Sequence, residues 1–234
     1  MDESKEITYE ISFAKSDDVF VHTVSLEPDA LEHFVLVEDA PEWCDLEYKR
    51  CSNCPLDTDT QPHCPLALRL IPFVEMKSCV SYDEVDCKVS MDDKTIQKQT
   101  SAQEAFSSLI GLVMATSGCP HTSFFKPMAW FHQPFASEYE TIMRACSNFL
   151  LSKHFEGPDA KNHSEHSDLF EELKKIYEEI HQINIQISKR IQRDSLGDST
   201  LNAIVLLDIF TADFAHALED DLSMLKQIFG HNSC

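Results

Sequence analysis

At 234 residues, 43% of them hydrophobic, the chain can bury a sizeable core as one larger domain or two small ones. Its 40 acidic and 19 basic residues give a formal net charge of −21, and no local cluster of Lys or Arg offsets it. Such a surface repels a phosphate backbone or an anionic membrane, so the expected partner is a protein, with no nucleic acid and no membrane.

The start, MDESKEITYE, is acidic where a signal peptide is basic and then apolar, and no apolar stretch approaches the roughly 18 residues of a membrane span. A soluble, cytoplasmic protein is expected. Nine cysteines is an odd number, which in a reducing compartment favours thiols or thiolate ligands over a disulfide framework.

In chain order, Ile7, Tyr9, Ile11 and Phe13 alternate with Thr8, Glu10 and Ser12, the period of a strand with one buried face. Ser16-Asp17-Asp18 is a turn. Val19 to Leu26, β-branched and aromatic, completes a hairpin closed by Glu27-Pro28-Asp29. His22 within it is given no role. Phe34 to Val37 reads as a third, short strand.

Residues 41–80 lose this periodicity and hold Cys44, Cys51, Cys54 and Cys64 among Pro55, Pro62 and Pro65: a structured loop that needs a staple. Cys51-Ser52-Asn53-Cys54 is a C-x2-C knuckle, the spacing that lets two thiolates reach one ion from a tight turn, and Cys64 adds a third. A tetrahedral site wants a fourth ligand. Cys44, His63 and the distant Cys119 are the candidates, and the preferred set is Cys51, Cys54, Cys64 and Cys119. Zinc is the first expectation; an iron–sulfur cluster lacks its compact spacing and haem ranks below that. A redox Cys51/Cys54 pair lacks a thioredoxin-like strand–helix context. The alternative for all these thiols is core packing, since cysteine is among the most often buried residues.

Val85, Cys87 and Val89 alternate with Asp86, Lys88 and Ser90; Asp92-Asp93 turns the chain into Thr95 to Gln99, a second hairpin. From Ala102 to Thr116 the pattern is apolar nearly all round, as in a helix buried on most sides. Thr116 to Ser137, TSGCPHTSFFKPMAWFHQPFAS, is too apolar for a surface loop and too often broken by Gly118, Pro120, Pro127 and Pro134 for one helix. Short helical turns crossing the interior are expected, with Cys119, His121, Lys126 and His132 the residues able to do chemistry there.

Ser137-Glu138-Tyr139-Glu140 is a capping-box pattern opening a helix to Phe155. His163 and His166 read as a solvated loop. Leu169, Leu173, Ile176, Ile180, Ile183, Ile187 and Ile191 advance by fours and threes along a helix over 168–193, with a second over 199–229 packed antiparallel against it. Asp208, Asp213 and His216 read as solvated charge.

The segments TSGCPH, FFKPMAWFHQPFAS and EYETIMRACSNFLL, together with Cys54-Pro55-Leu56 and Cys64-Pro65-Leu66-Ala67 upstream, resemble the pattern of a bacterial protein family of unknown function with CP-containing cysteine motifs. The resemblance spans most of the chain. It implies that Cys51, Cys54, Cys64, Cys119 and the Phe131-His132 turn belong to one shared design, and it implies no activity.

The expected fold is α+β: an N-terminal antiparallel sheet over 1–99 with the cysteine-rich loop inserted at 41–80, then a C-terminal helical bundle over 100–234. No phosphate-binding glycine loop, G-x-S-x-G or H-E-x-x-H is present. The leading function is an interaction or regulatory protein with a structural thiolate metal site. The alternatives are an enzyme with a pocket at Cys119 to His132, using Lys126, His121 or His132, and a thiol-based or haem-linked sensor.

Overall fold

The computed structural model describes residues 4–27, 39–76, 79–92, 94–156, 166–192, 198–220 and 222–230. Four strands, β1 (Lys5–Phe13), β2 (Val19–Leu26), β3 (Glu84–Met91) and β4 (Lys94–Ser101), form one antiparallel sheet in the order β2-β1-β3-β4. Both expected hairpins are present, and β1 joins them by pairing with β3. Period-two alternation sets the face: Ile7, Tyr9 and Ile11 are buried in β1, and Val85, Cys87 and Val89 in β3. The edge strand β4 carries Lys94 and Lys98, charges that discourage edge-to-edge pairing. The expected strand at 34–37 lies outside the described residues.

Between the hairpins, Glu42–Cys44 forms one 3-10 turn, and Asp45 and His63 pair across the base of the loop they enclose. The reading of 41–80 as loop throughout is corrected by α1 (Pro65–Val74). Pro65 occupies its first turn, where a missing N–H costs nothing, and Leu66, Leu70, Phe73 and Val74 are buried at helical spacing.

The helices follow: α2 (Ala102–Ala115), α3 (Lys126–Trp130), α4 (Glu138–Phe155), α5 (His166–Ile191), α6 (Ser199–Glu219) and α7 (Ser223–Ile228). Ser101 caps α2 by accepting from the Glu104 amide, and Ser137 and Glu140 form a complete capping box on α4. Lys174 of α5 meets Glu219 while Asn184 meets Thr211, so α5 and α6 run antiparallel. The single helix expected over 199–229 is instead two, because Leu222 takes φ 52° and turns the chain between α6 and α7.

α6 is, among the described residues, the helix long and apolar enough to cross a membrane, with mean hydropathy 1.5 over its most apolar window. That departs from the expectation that no stretch reaches this length. In the fold α6 buries Ala203, Ile204, Thr211 and Phe214 and leaves Val205 and Ile209 exposed.

The principal core takes Ile7, Tyr9, Val85 and Val89 from the sheet, Leu70 and Phe73 from α1, Phe106 and Leu109 from α2, and Ile183, Ile187 and Ile204 from α5 and α6. A second cluster gathers Ile142, Cys146 and Phe149 of α4 around Tyr177 and Phe214, whose rings stack 3.7 Å apart. Segment 116–137 passes between these clusters as a 3-10 run (Pro120–Phe125) and α3, the short turns its prolines predict, but it is interior only in part: Thr122, Ala129 and His132 are buried while Phe131 is 73% exposed.

Candidate functional site

The loop, the crossing and α5 meet at a nest of thiols. Cys64 donates its amide to the Cys44 carbonyl (2.7 Å), which sets these two cysteines side by side, and Cys54 donates to the Cys51 carbonyl (3.1 Å), closing the knuckle. Two of the three Cys-Pro steps place a thiol at the start of a helical turn: Cys64 is the N-cap of α1 and Cys119 that of the 3-10 run. There the free amides of Leu66 and Ala67 oppose the effect of burial on Cys64, and those of His121 and Thr122 oppose it on Cys119, though none makes a full capping hydrogen bond.

Burial dominates each thiol's electrostatics. It pushes the Cys44 and Cys119 thiols up to about 12, pushes Cys51 up to about 11, and raises Cys64 as well. The remaining effects show which groups are neighbours: Cys64 raises Cys44, Cys51 and Cys119, and Cys54 raises Cys51 and Cys64. Cys64 is therefore the thiol that Cys44, Cys51, Cys54 and Cys119 each neighbour electrostatically. Among the described residues, no three His, Cys, Asp or Glu side chains stand in an arrangement that would hold a metal ion. His63, the other candidate ligand, faces Asp45 Oδ1 at 3.2 Å.

Arg190 of α5 enters the nest although it is only 1% exposed. Its Nη1 donates to the carbonyls of Trp43 (2.8 Å) and Asp45 (2.6 Å), and its Nη2 to that of Leu46 (3.0 Å). Nε has no partner, and no carboxylate lies within 4.0 Å among the described residues. Its positive charge instead favours the thiolate forms of Cys44, Cys51 and Cys64.

The crossing divides its own chemistry. His121 ties it to both neighbours, with Nδ1 2.7 Å from Glu179 Oε2 on α5 and Nε2 2.7 Å from the Asn53 carbonyl in the knuckle. His132 belongs to different surroundings: its Nε2 is 2.6 Å from the Tyr9 hydroxyl, which is also 2.8 Å from Ser108 Oγ. Burial lowers the His132 pKa to about 3 and raises that of Tyr9, so a neutral imidazole meets a protonated phenol. Lys126 is half-buried, and Cys119 and His132 serve separate neighbourhoods.

Beyond the crossing lies a cleft of about 850 Å³ between α6 on one side and the crossing and the start of α4 on the other. Ile180, Leu112 and Leu207 are among its apolar walls, and Arg144, Tyr177 and Asn184 among its polar ones. Arg144 Nη2 donates to the carbonyls of Met128 (2.8 Å) and Phe131 (3.0 Å). The Tyr177 hydroxyl and Asn184 Oδ1 are buried with no partner among the described residues.

Sequence reasoning grouped the thiols but missed Arg190, Arg144, Tyr177 and Asn184. The two arginines carried no local signal, because only contacts with distant carbonyls distinguish them from the Lys and Glu of a wet helix face. Tyr177 and Asn184 flank the isoleucine stripe of α5 two turns apart, and a polar side chain beside such a stripe is a usable clue.

A family model described as a domain of unknown function, DUF6901, matches residues 7–230. No curated protein and no solved structure matches the chain.

Proposed function

The chain belongs to this family, whose description assigns no chemistry, and from that premise we propose that the nest is a structural thiolate metal centre. Cys51, Cys54, Cys64 and Cys119 are its ligands and zinc its ion. The observation that carries this reading is the buried guanidinium of Arg190. Carbonyl dipoles solvate it, but no anion among the described residues balances it. An unbalanced buried cation is costly, whereas a divalent ion with four thiolates is a dianionic group that Arg190 would partly neutralise.

Binding requires the thiols to lose their protons and turn about their Cα–Cβ bonds onto one centre, with sulfur about 2.3 Å from the ion. The amides following Cys64 and Cys119 favour the charged thiolates there, and Arg190 favours those of Cys51 and Cys64. The ion's contribution is structural: it fastens the loop to the crossing and to α5, leaving the remaining surface for a protein partner in a cytoplasmic interaction or regulatory role.

The test is elemental analysis and an absorption spectrum of the purified protein, with Cys54→Ser alongside. About one colourless zinc per chain, lost in the variant, supports the reading; iron or a haem spectrum replaces zinc with the corresponding alternative. A metal-free protein whose Cys54→Ser variant melts like the parent returns the cysteines to core packing.

A further inference from the structure

We propose that Cys44 and Cys64 are a redox-active pair that a peroxide joins as a cross-strand disulfide, and that forming this bond withdraws Cys64 from the metal centre. The pairing of the two thiols is independent of the metal reading; the release of the ion rests on it.

Backbone register comes first. Asp45 and His63 form an antiparallel bridge, in which the Leu46 amide donates to the Pro62 carbonyl (2.8 Å) and the Cys64 amide to the Cys44 carbonyl (2.7 Å). That pattern makes residues 44 and 64 the next directly opposed pair, with side chains on one face and Cα atoms about 5.5 Å apart. A disulfide spans Cα separations of about 4.4–6.8 Å, so the two backbones already stand at bridging distance. Both ends are held: Cys44 closes the 3-10 turn Glu42–Cys44, and Cys64 is fixed ahead of Pro65 as the N-cap of α1. The knuckle is a weaker rival. Cys51 and Cys54 are the ends of a four-residue turn closed by the Cys54 amide on the Cys51 carbonyl, and such a turn brings its ends only to within about 7 Å.

Exposure comes second. The ligand set Cys51, Cys54, Cys64 and Cys119 leaves Cys44 without a task, directly opposite one of the ligands. Cys44 is fully buried and Cys64 half-buried, so an oxidant as small as hydrogen peroxide meets Cys64 first. The Cys64 thiolate attacks one peroxide oxygen, the O–O bond breaks, and Cys64 becomes a sulfenic acid while hydroxide leaves. The Cys44 sulfur then attacks the Cys64 sulfur, the S–S bond forms, and the sulfenic oxygen departs as water. Two thiols and one hydrogen peroxide thus give one disulfide and two waters, the thiols losing the two electrons that the peroxide gains. Cys64 then offers no thiolate to an ion, and a four-thiolate centre falls to three.

The experiment treats the full chain, purified under reducing conditions, with one equivalent of hydrogen peroxide. Remaining thiols are blocked with N-ethylmaleimide and peptides are mapped after trypsin and Asp-N. Cleavage after Arg50 and before Asp57 separates Cys44, the knuckle and Cys64. The first link to form should join Cys44 to Cys64 and should revert with dithiothreitol. A first link between Cys51 and Cys54, a first link to Cys119, or no link within the chain overturns the pairing, whatever metal the protein holds. A second arm gives the zinc-loaded chain the same peroxide beside a chromophoric chelator. The parent should release its zinc as the link forms, whereas Cys44→Ala should bind zinc as tightly and release it about tenfold more slowly. Zinc kept by a linked parent, or lost equally fast from Cys44→Ala, overturns the release. Should Cys44→Ala fail to fold, Cys44→Val replaces it; the mapping arm uses no variant. A protein that binds no zinc overturns the release together with the metal reading, and the mapping arm still decides the pairing.

Discussion

Arg190 carries a permanent charge to a place water does not reach, and three carbonyls supply dipoles without a counter-charge. If thiolates around a metal provide that counter-charge, Arg190→Met should weaken zinc binding by about 10- to 100-fold, as loss of an outer partner of metal ligands commonly does, with Arg190→Lys between the two. Competition with a chromophoric chelator measures this; equal affinities for parent and Met variant would detach Arg190 from the metal. No local pattern separates Arg190 from Lys189 beside it. Its burial follows from carbonyls at residues 43, 45 and 46, which only the folded chain brings near.

His132 gives a second test at the same scale. Its folded pKa, lowered to about 3 by burial, lies below its ordinary value of about 6.5, so the unfolded chain binds the proton first. Its contribution to stability is therefore unchanged above about pH 6.5. It falls as pH drops toward 3, with a slope of at most about 1.4 kcal/mol per pH unit. Denaturant melts between pH 7 and pH 4 should show this slope in the parent and a shallower one in His132→Gln; parallel curves would mean that the imidazole takes up a proton in place.

Among the elements, the α5/α6 pair holds the nest and the cleft in register, since Arg190 enters one and Tyr177, Ile180 and Asn184 line the other. Ile180 is buried in the principal core, so Ile180→Asp should cost several kcal/mol by burying an unpaired charge. A thermal melt checks it, and a variant as stable as the parent would contradict the packing. Ser137→Ala should cost about 1 kcal/mol by opening the capping box, readable as a shift in the denaturant midpoint.

Both sites stand on elements of unequal legibility. The hairpins, the capping box and the isoleucine stripe were readable because their periods are local. α1 was not, because four cysteines and three prolines suggested a loop while Leu66, Leu70, Phe73 and Val74 already marked a helical face. The break at Leu222 was hidden because a left-handed leucine has no sequence signature; glycine or asparagine is what that conformation ordinarily takes.

For the whole molecule, the sheet, loop, crossing and bundle are joined through two apolar clusters, with Phe125 of the crossing packed against both, and several long-range polar ties. Lys5 Nζ reaches the Trp130 carbonyl (3.0 Å), Thr200 Oγ1 reaches that of Phe73 (3.0 Å), and His121 spans the knuckle and α5. The α+β class was readable from the change of period near residue 100. That the cysteine loop meets α5 was not, because the meeting depends on tertiary contacts across more than a hundred residues.

The measurement that tests the central claim most directly is X-ray absorption at the metal edge of the purified, zinc-supplemented protein. Four sulfur neighbours at about 2.3 Å, falling to three with a nitrogen or oxygen in Cys119→Ser, are the predicted result. A shell of nitrogen and oxygen alone, or a spectrum unchanged by Cys119→Ser, would contradict it.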